Sequence, residues 1–266
     1  MKTYGRICIT GSKGMLGTHL VNILSVDQEI LALDLPEFDV TRRDSMRAVI
    51  GEFKPDLIIH CASYNNVERA ESEADKAYLV NALATRWIAQ ISAELNSPLV
   101  YYSTDYVFCG ASGRVPFNEF MPAAPRGVYA LSRFAGEQEV RNYQPRHYII
   151  RTSWLYGPYG NNFPAAILKA AKDRPFLKVI DDQTGAPTHT FDLAEQTLRI
   201  VENGVFGLYH VSGNGSCTWY EYAQAVLETA GIEKRIEPVT TAEYNAAAPR
   251  PPYSVLDHLV LRNTIG

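Results

Sequence analysis

A chain of 266 residues can bury a substantial core, either as one large domain or as one domain with a smaller lobe, and 46% apolar with 20% charged residues argues against disorder. A formal charge of −4 leaves no basic surplus, so neither nucleic acid nor an anionic membrane is expected as partner. No run approaches the roughly eighteen apolar residues of a membrane span, and Ile7-Cys8-Ile9 is too short for a signal-peptide core. Cys8, Cys61, Cys109 and Cys217 lack the paired spacing of a zinc site or redox dithiol, so the expectation is a reduced, cytoplasmic chain with no metal site.

In chain order, short apolar runs at 6–10, 30–33, 57–61, 99–102 and 148–150 alternate with longer amphipathic segments, the pattern of βα units around a parallel sheet. The first run leads directly into Gly11-Ser12-Lys13-Gly14-Met15-Leu16-Gly17, and residues 18–24 are compatible with a helix. Glycines three apart at a strand-to-helix turn let the backbone approach a pyrophosphate and leave helix N-terminal amides facing it. Asp34 closes the second run 23 positions after Gly11, about where an acidic residue meets an adenosine ribose. Asp34 favours the free 2′-hydroxyl of NADH, whereas Lys13 suits the 2′-phosphate of NADPH, so both cofactors stay open. Residues 66–94, rich in Ala, Glu and Leu, predict one long crossover helix.

The stretch Val128-Tyr129-Ala130-Leu131-Ser132-Arg133 reads as a helix that projects Tyr129 and Arg133 from one face. A cation about 4 Å from a phenol at an effective dielectric of about 20 favours the phenolate by roughly 4 kcal/mol. That is about three pKa units, partly offset by desolvation. The pair therefore predicts an activated proton donor. Beyond Arg151 the spacing predicts helices over 165–172, 193–201 and 219–230, the last capped by Thr218, and strands over 177–180 and 207–211.

The glycine loop has G-x-x-G-x-x-G spacing and is similar to that of short-chain dehydrogenases of the extended type. Together with Ser103-Thr104-Asp105-Tyr106-Val107-Phe108 and the Tyr129 helix, the chain resembles the dTDP-4-dehydrorhamnose reductases. The likeness runs nearly end to end through Val67-Glu68-Arg69-Ala70-Glu71, Arg151-Thr152-Ser153-Trp154, Asp182-Gln183-Thr184-Gly185 and Arg250-Pro251-Pro252-Tyr253. It implies an α/β fold, a Rossmann-type doubly wound parallel sheet with a smaller C-terminal substrate-binding lobe. Residues 1–151 would form the dinucleotide-binding domain. Residues 152–266 would form mainly the lobe, with some segments returning to the sheet.

The implied activity is NADPH- or NADH-dependent reduction of the 4-keto group of a nucleotide-linked 6-deoxyhexose, the last step to dTDP-L-rhamnose. By the resemblance, Tyr129 donates the proton to the nascent oxygen, Thr104 hydrogen-bonds that oxygen, Arg133 stands at the family's lysine position, and Asp105 and Trp154 meet the sugar. Gly11, Lys13, Gly14, Met15, Leu16, Gly17, Asp34, Asp39, Val40, Cys61, Ala62, Ser63, Tyr64, Asn65 and Tyr102 fall on cofactor-lining positions, joined by Tyr129 and Arg133. Asn162, Phe163, Gln183 and Arg250 would contact the nucleotide end.

Two departures stand out. Arg133 keeps a permanent charge, but its planar fork bonds in other directions than an ammonium. The chain also stops at Gly266, where the family continues into a further helix. Some members dimerise through magnesium held by acidic residues; those ligands have no match here, and a homodimer stays open. Arg133 keeps alive a second reading, a non-catalytic NADP-binding subunit like the regulatory subunit of methionine adenosyltransferase. An epimerase or dehydratase ranks last, because Thr104 is followed by Asp105-Tyr106 and not by an Asp-Glu pair. Of the remaining residues, His60, His189, His210 and His258 read as packed or isolated histidines, Tyr101, Tyr148, Tyr156 and Trp219 as packing, and Glu68 and Glu71 as a solvated pair.

Overall fold

The computed structural model describes residues 4–265. The apolar runs form strands β1 (Arg6–Thr10), β2 (Glu29–Leu33), β3 (Leu57–His60), β4 (Leu99–Thr104) and β5 (His147–Thr152), all parallel, and β6 (Gly207–His210) adds to the edge beside β5. The spatial order is β6-β5-β4-β3-β1-β2, so the direction of winding reverses between β1 and β3. A crevice opens at the carboxyl ends of the strands at such a reversal. β3 and β4 are buried at every position, as central strands covered on both faces must be.

Helices cover both faces because alternate strand residues point to opposite sides. Leu16, Leu20 and Leu24 of α1 (Met15–Leu24) pack on Ile7, Ile9, Ile59 and Val100. On the opposite face Met46 and Ile50 of α2 (Arg43–Phe53) pack on Cys8, Ile58 and Leu99. Each such buried aliphatic side chain contributes about 1.5–3 kcal/mol. The sequence pattern missed α2, whose only buried residues are Met46 and Ile50, a stripe too thin to register as a period.

The single long helix predicted over 66–94 is broken into α3 (Val67–Ser72), α4 (Ala74–Tyr78), a π-helical turn at Leu79–Leu83 and α5 (Ala84–Glu94). Glu73 leaves helical geometry at φ −119°, ψ 45°. The π turn directs Asn81, wholly buried, toward the loop after β3. Its Oδ1 accepts the Tyr64 N–H at 2.8 Å, and its Nδ2 donates to the Tyr64 carbonyl and the Ser132 hydroxyl, both at 3.0 Å. Satisfying buried backbone groups of that loop outweighs an unbroken helix.

Ser132 lies on α6 (Val128–Tyr143), which packs beside α5. After β5 come α7 (Phe163–Asp173), α8 (Thr190–Asn203) and α9 (Trp219–Thr229). α8 returns to the first sheet through Leu193, Ala194, Ile200 and Val201. α7 and α9 instead enclose a separate core with Leu177 and Val179, and the parallel pair Leu177–Ile180 and Ile236–Val239 closes it. Thr218 caps α9 in a reciprocal pair with Glu221. No helix of the described residues is long and apolar enough to cross a membrane.

Candidate active site

The three loop glycines divide their work. A Cβ added at Gly11 would lie 2.5 Å from the Ala62 nitrogen and one at Gly17 2.1 Å from the Gly11 carbonyl, whereas one at Gly14 would meet nothing nearer than 3.2 Å. Gly11 thus seats the loop against the chain leaving β3, Gly17 seats α1 against the loop's own backbone, and Gly14 lines the cleft. Gly14 is also the N-cap of α1, and no side chain caps the amides there. Uncapped first-turn amides beside open space suit a diphosphate, so the cradle fits a dinucleotide.

Asp34 is engaged locally: its Oδ2 accepts the Lys13 N–H and its Oδ1 the Leu35 N–H, both at 2.7 Å. The Lys13 ammonium reaches Glu37 at 2.6 Å and the Leu35 carbonyl at 3.0 Å while staying 59% exposed. Asp39 accepts the Thr41 N–H and hydroxyl at 2.9 and 2.7 Å, and the backbone bond above all holds its carboxyl below the usual range. Val40 packs toward the α2 core.

A cleft of about 460 Å³ opens at the strand ends. It brings together Gly11, Gly14, Met15, Leu16, Gly17, Cys61, Ser63, Asn65, Tyr102, Thr104, Asp105, Tyr129, Arg133, Trp154 and Arg250. Lys13, Asp34, Asp39, Val40, Ala62, Tyr64, Asn162, Phe163 and Gln183 are not among its lining residues. The Tyr64 hydroxyl, for instance, turns to Glu73 at 2.9 Å.

Tyr129 sits one residue into α6, edge-on to Tyr106 at 5.4 Å, and lines the cleft together with Thr104. Burial raises its phenol above the ordinary value, and the Arg133 charge and Thr104 pull it back only in part. The net lowering of the Tyr129 pKa expected from the Arg133 spacing is therefore corrected: desolvation outweighs the cation. Arg133, only 5% exposed, gives its guanidinium to the Tyr102 carbonyl and lies 5.1 Å over the Tyr101 ring. Its Nε is buried without a partner among the described residues.

Beside Thr104, whose hydroxyl donates to it at 3.1 Å, the Asp105 carboxyl is pushed up to about 6 by burial, against smaller stabilisation from Ser254 and Thr104. Between about pH 4 and 6 the folded chain thus holds a proton that the unfolded chain has lost, so stability falls as pH rises through that window. Asp105→Asn lacks this penalty. Its stability relative to the parent chain should climb by about 1–3 kcal/mol between pH 4 and 7 in thermal melts. A difference independent of pH would show that the carboxyl ionises normally.

The far wall is aromatic. Trp154 holds φ 44°, a left-handed conformation costly for a bulky residue, and its indole stacks on Trp219 at 3.5 Å and 8°. Trp219, expected only to pack, lines the cleft. Its Nε1 donates to the Gln183 Oε1 at 3.1 Å, and the Gln183 Nε2 donates to Thr241 at 2.9 Å. Phe163 tilts against Trp219 at 4.6 Å. Asn162 caps α7 by accepting the Ala165 N–H and donates to the Gly157 carbonyl at 2.7 Å. Gln183, Phe163 and Asn162 accordingly build the wall behind the cleft. Glu68 and Glu71, expected to be solvated, are both engaged: Glu68 binds Arg250, and Glu71 accepts the Val128 N–H at the start of α6.

The RmlD substrate binding domain profile matches residues 5–266. The chain is 39% identical over 254 residues to the spore coat polysaccharide biosynthesis protein SpsK of Bacillus subtilis strain 168, covering 95% of this chain and 89% of that protein. It is 38% identical over 277 residues to a dTDP-4-dehydrorhamnose reductase of Aggregatibacter actinomycetemcomitans, covering 98% and 93%. A crystal structure of dTDP-4-dehydrorhamnose reductase from Bacillus anthracis strain Ames in complex with NADP matches with a TM-score of 0.94 at 40% identity, covering 98% of this chain and 93% of that one. With a family profile spanning nearly its whole length and relatives of this identity and coverage, the chain belongs to the dTDP-4-dehydrorhamnose reductase family.

Proposed function

We propose that this chain reduces the 4-keto group of a nucleotide-linked 6-deoxyhexose with NADPH or NADH, converting dTDP-4-dehydro-L-rhamnose to dTDP-L-rhamnose. The observation that carries this reading is the meeting of Tyr129, Thr104 and the Gly14 wall in one cleft at the winding reversal. A reduced nicotinamide supplies the hydride when bound. As the carbonyl is reduced, negative charge grows on its oxygen; the Tyr129 hydroxyl, and the Thr104 hydroxyl once it turns from Asp105, supply two donors to it from the lining of the cleft. A phenol kept above its ordinary pKa is fully protonated at neutral pH, so Tyr129 holds the proton that the new alcohol needs. The buried Arg133 charge then favours the phenolate left behind. Trp154 on Trp219 offers an aromatic face to sugar C–H surfaces.

The test is oxidation of NADPH and NADH on addition of enzymatically generated dTDP-4-dehydro-L-rhamnose. Turnover is expected. Cofactor binding without turnover on this or related keto-sugars would favour the regulatory-subunit reading. The exposed Lys13 ammonium, held by Glu37 and the Leu35 carbonyl while its backbone N–H meets Asp34, also supports a phosphate contact at the adenosine end. Lys13→Ala should raise KM for NADPH about tenfold and leave that for NADH within about twofold, the loss of one charge-assisted contact. Equal changes for both cofactors would remove Lys13 from that role.

A further inference from the structure

The pair on α3 that reads from sequence as solvated joins two segments distant in the chain. Glu68 and Glu71 are three residues apart, hence on one helix face. Glu71 Oε1 accepts the Val128 N–H at 2.8 Å, across 57 residues. The helix it caps has no cap of its own: Gly127 is the N-cap, and no acidic residue lies in the first turn. A carboxylate there satisfies an orphan donor and faces the positive end of the helix dipole. Glu68 Oε2 accepts the N–H groups of Ala247 and Ala248 at 2.9 and 3.3 Å, and its Oε1 takes the Arg250 guanidinium.

The two contacts adjoin at Gly127. With φ at 80°, that residue has a backbone conformation L side chains rarely adopt, and a Cβ on it would lie 2.9 Å from Glu71 Oε1 and 3.0 Å from Pro249 Cδ. The turn that starts α6 therefore rests against both the Glu71 carboxylate and the loop that carries Arg250 into the cleft. A solvated pair has no reason to match its oxygens to backbone amides of two separate segments.

We propose that Glu68 and Glu71 are positioning residues of the reductase, a bracket on α3 in which Glu71 sets the first turn of α6, and so Tyr129, while Glu68 sets the Arg250 loop. This rests on the reductase reading above. Glu71 acts on proton delivery and Glu68 on substrate affinity, because Tyr129 meets the reacting oxygen and Arg250 lies at the edge of the cleft.

Steady-state kinetics of Glu71→Ala, Glu71→Gln and Glu68→Ala test the bracket. Glu71→Ala should lower kcat about tenfold, or ~1.4 kcal/mol of barrier, with KM within about twofold. Glu71→Gln, whose amide oxygen still accepts from Val128, should stay within about threefold of the parent kcat. Glu68→Ala should raise KM for the nucleotide sugar about tenfold with kcat nearly unchanged. Equal kcat in Glu71→Ala and Glu71→Gln, or proportionate changes of kcat and KM in both alanine variants, would overturn the proposal. A parent chain that binds cofactor but turns over no keto-sugar defeats the reductase reading instead. Amide hydrogen exchange then judges the bracket: faster exchange at 127–131 in Glu71→Ala and at 246–250 in Glu68→Ala supports it, and unchanged exchange refutes it.

Discussion

Tyr129→Phe should lower kcat by about 10²–10⁴-fold while KM for cofactor and sugar stays within about threefold. The substitution removes one oxygen and leaves the ring that packs edge-on against Tyr106. Folding and the shape of the cleft should therefore survive. What is lost is the phenol on α6 that lines the cleft together with Thr104. Thr104 remains as a donor to the developing charge but cannot serve as the acid, since an alkoxide is far too basic to form at neutral pH. Because burial holds the phenol above its ordinary pKa, the parent rate should persist to more alkaline pH than an ordinary tyrosine would allow. Single-turnover measurements across pH check both statements. A phenylalanine variant keeping more than about a tenth of the parent kcat would assign the proton to another group.

The parts of this site that sequence disclosed are those whose cause is local. Ile7, Cys8 and Ile9 alternate between the two faces of the sheet, so their strand can be read without its partners. The glycine spacing belongs to one strand-to-helix turn, and Tyr129 and Arg133 are separated by one helical turn. What stayed hidden depends on residues far along the chain. The break in the 66–94 helix answers to Tyr64 and Ser132 through Asn81, and the π turn leaves no trace in composition. Glu71 gains its role only once Val128 is brought beside it. Trp219 resembles any aromatic in the first turn of a capped helix until Trp154 stacks on it. The direction of the Tyr129 shift was missed for the same reason: spacing locates the cation, whereas the larger influence, burial, is assembled by the whole fold.

Glu137→Ala should be the most destabilising single substitution considered, costing about 3–5 kcal/mol. Glu137 and Arg151 have side chains 0% and 4% exposed and meet in a fork, Nε to Oε1 at 2.9 Å and Nη2 to Oε2 at 2.8 Å. Ser103 donates to the same carboxylate, so α6, β4 and β5 are tied at one point. Removing the carboxylate strands the guanidinium in the core. Its remaining neighbours cannot replace the charge: the Phe108 ring lies 5.2 Å away, and His210, pushed down to about 3 by burial and by Arg151 itself, is neutral. For a chain of this size the loss corresponds to a fall in Tm of roughly 10 °C. Glu137→Met combined with Arg151→Met should lose much less than Glu137→Ala alone, because an apolar pair of similar volume leaves no stranded charge. Activity should fall too in Glu137→Ala below its melting range, since Ser103 precedes Thr104 and Glu137 lies two turns along the helix from Tyr129. A loss below about 1 kcal/mol would mean that water reaches Arg151 and that the fork is dispensable.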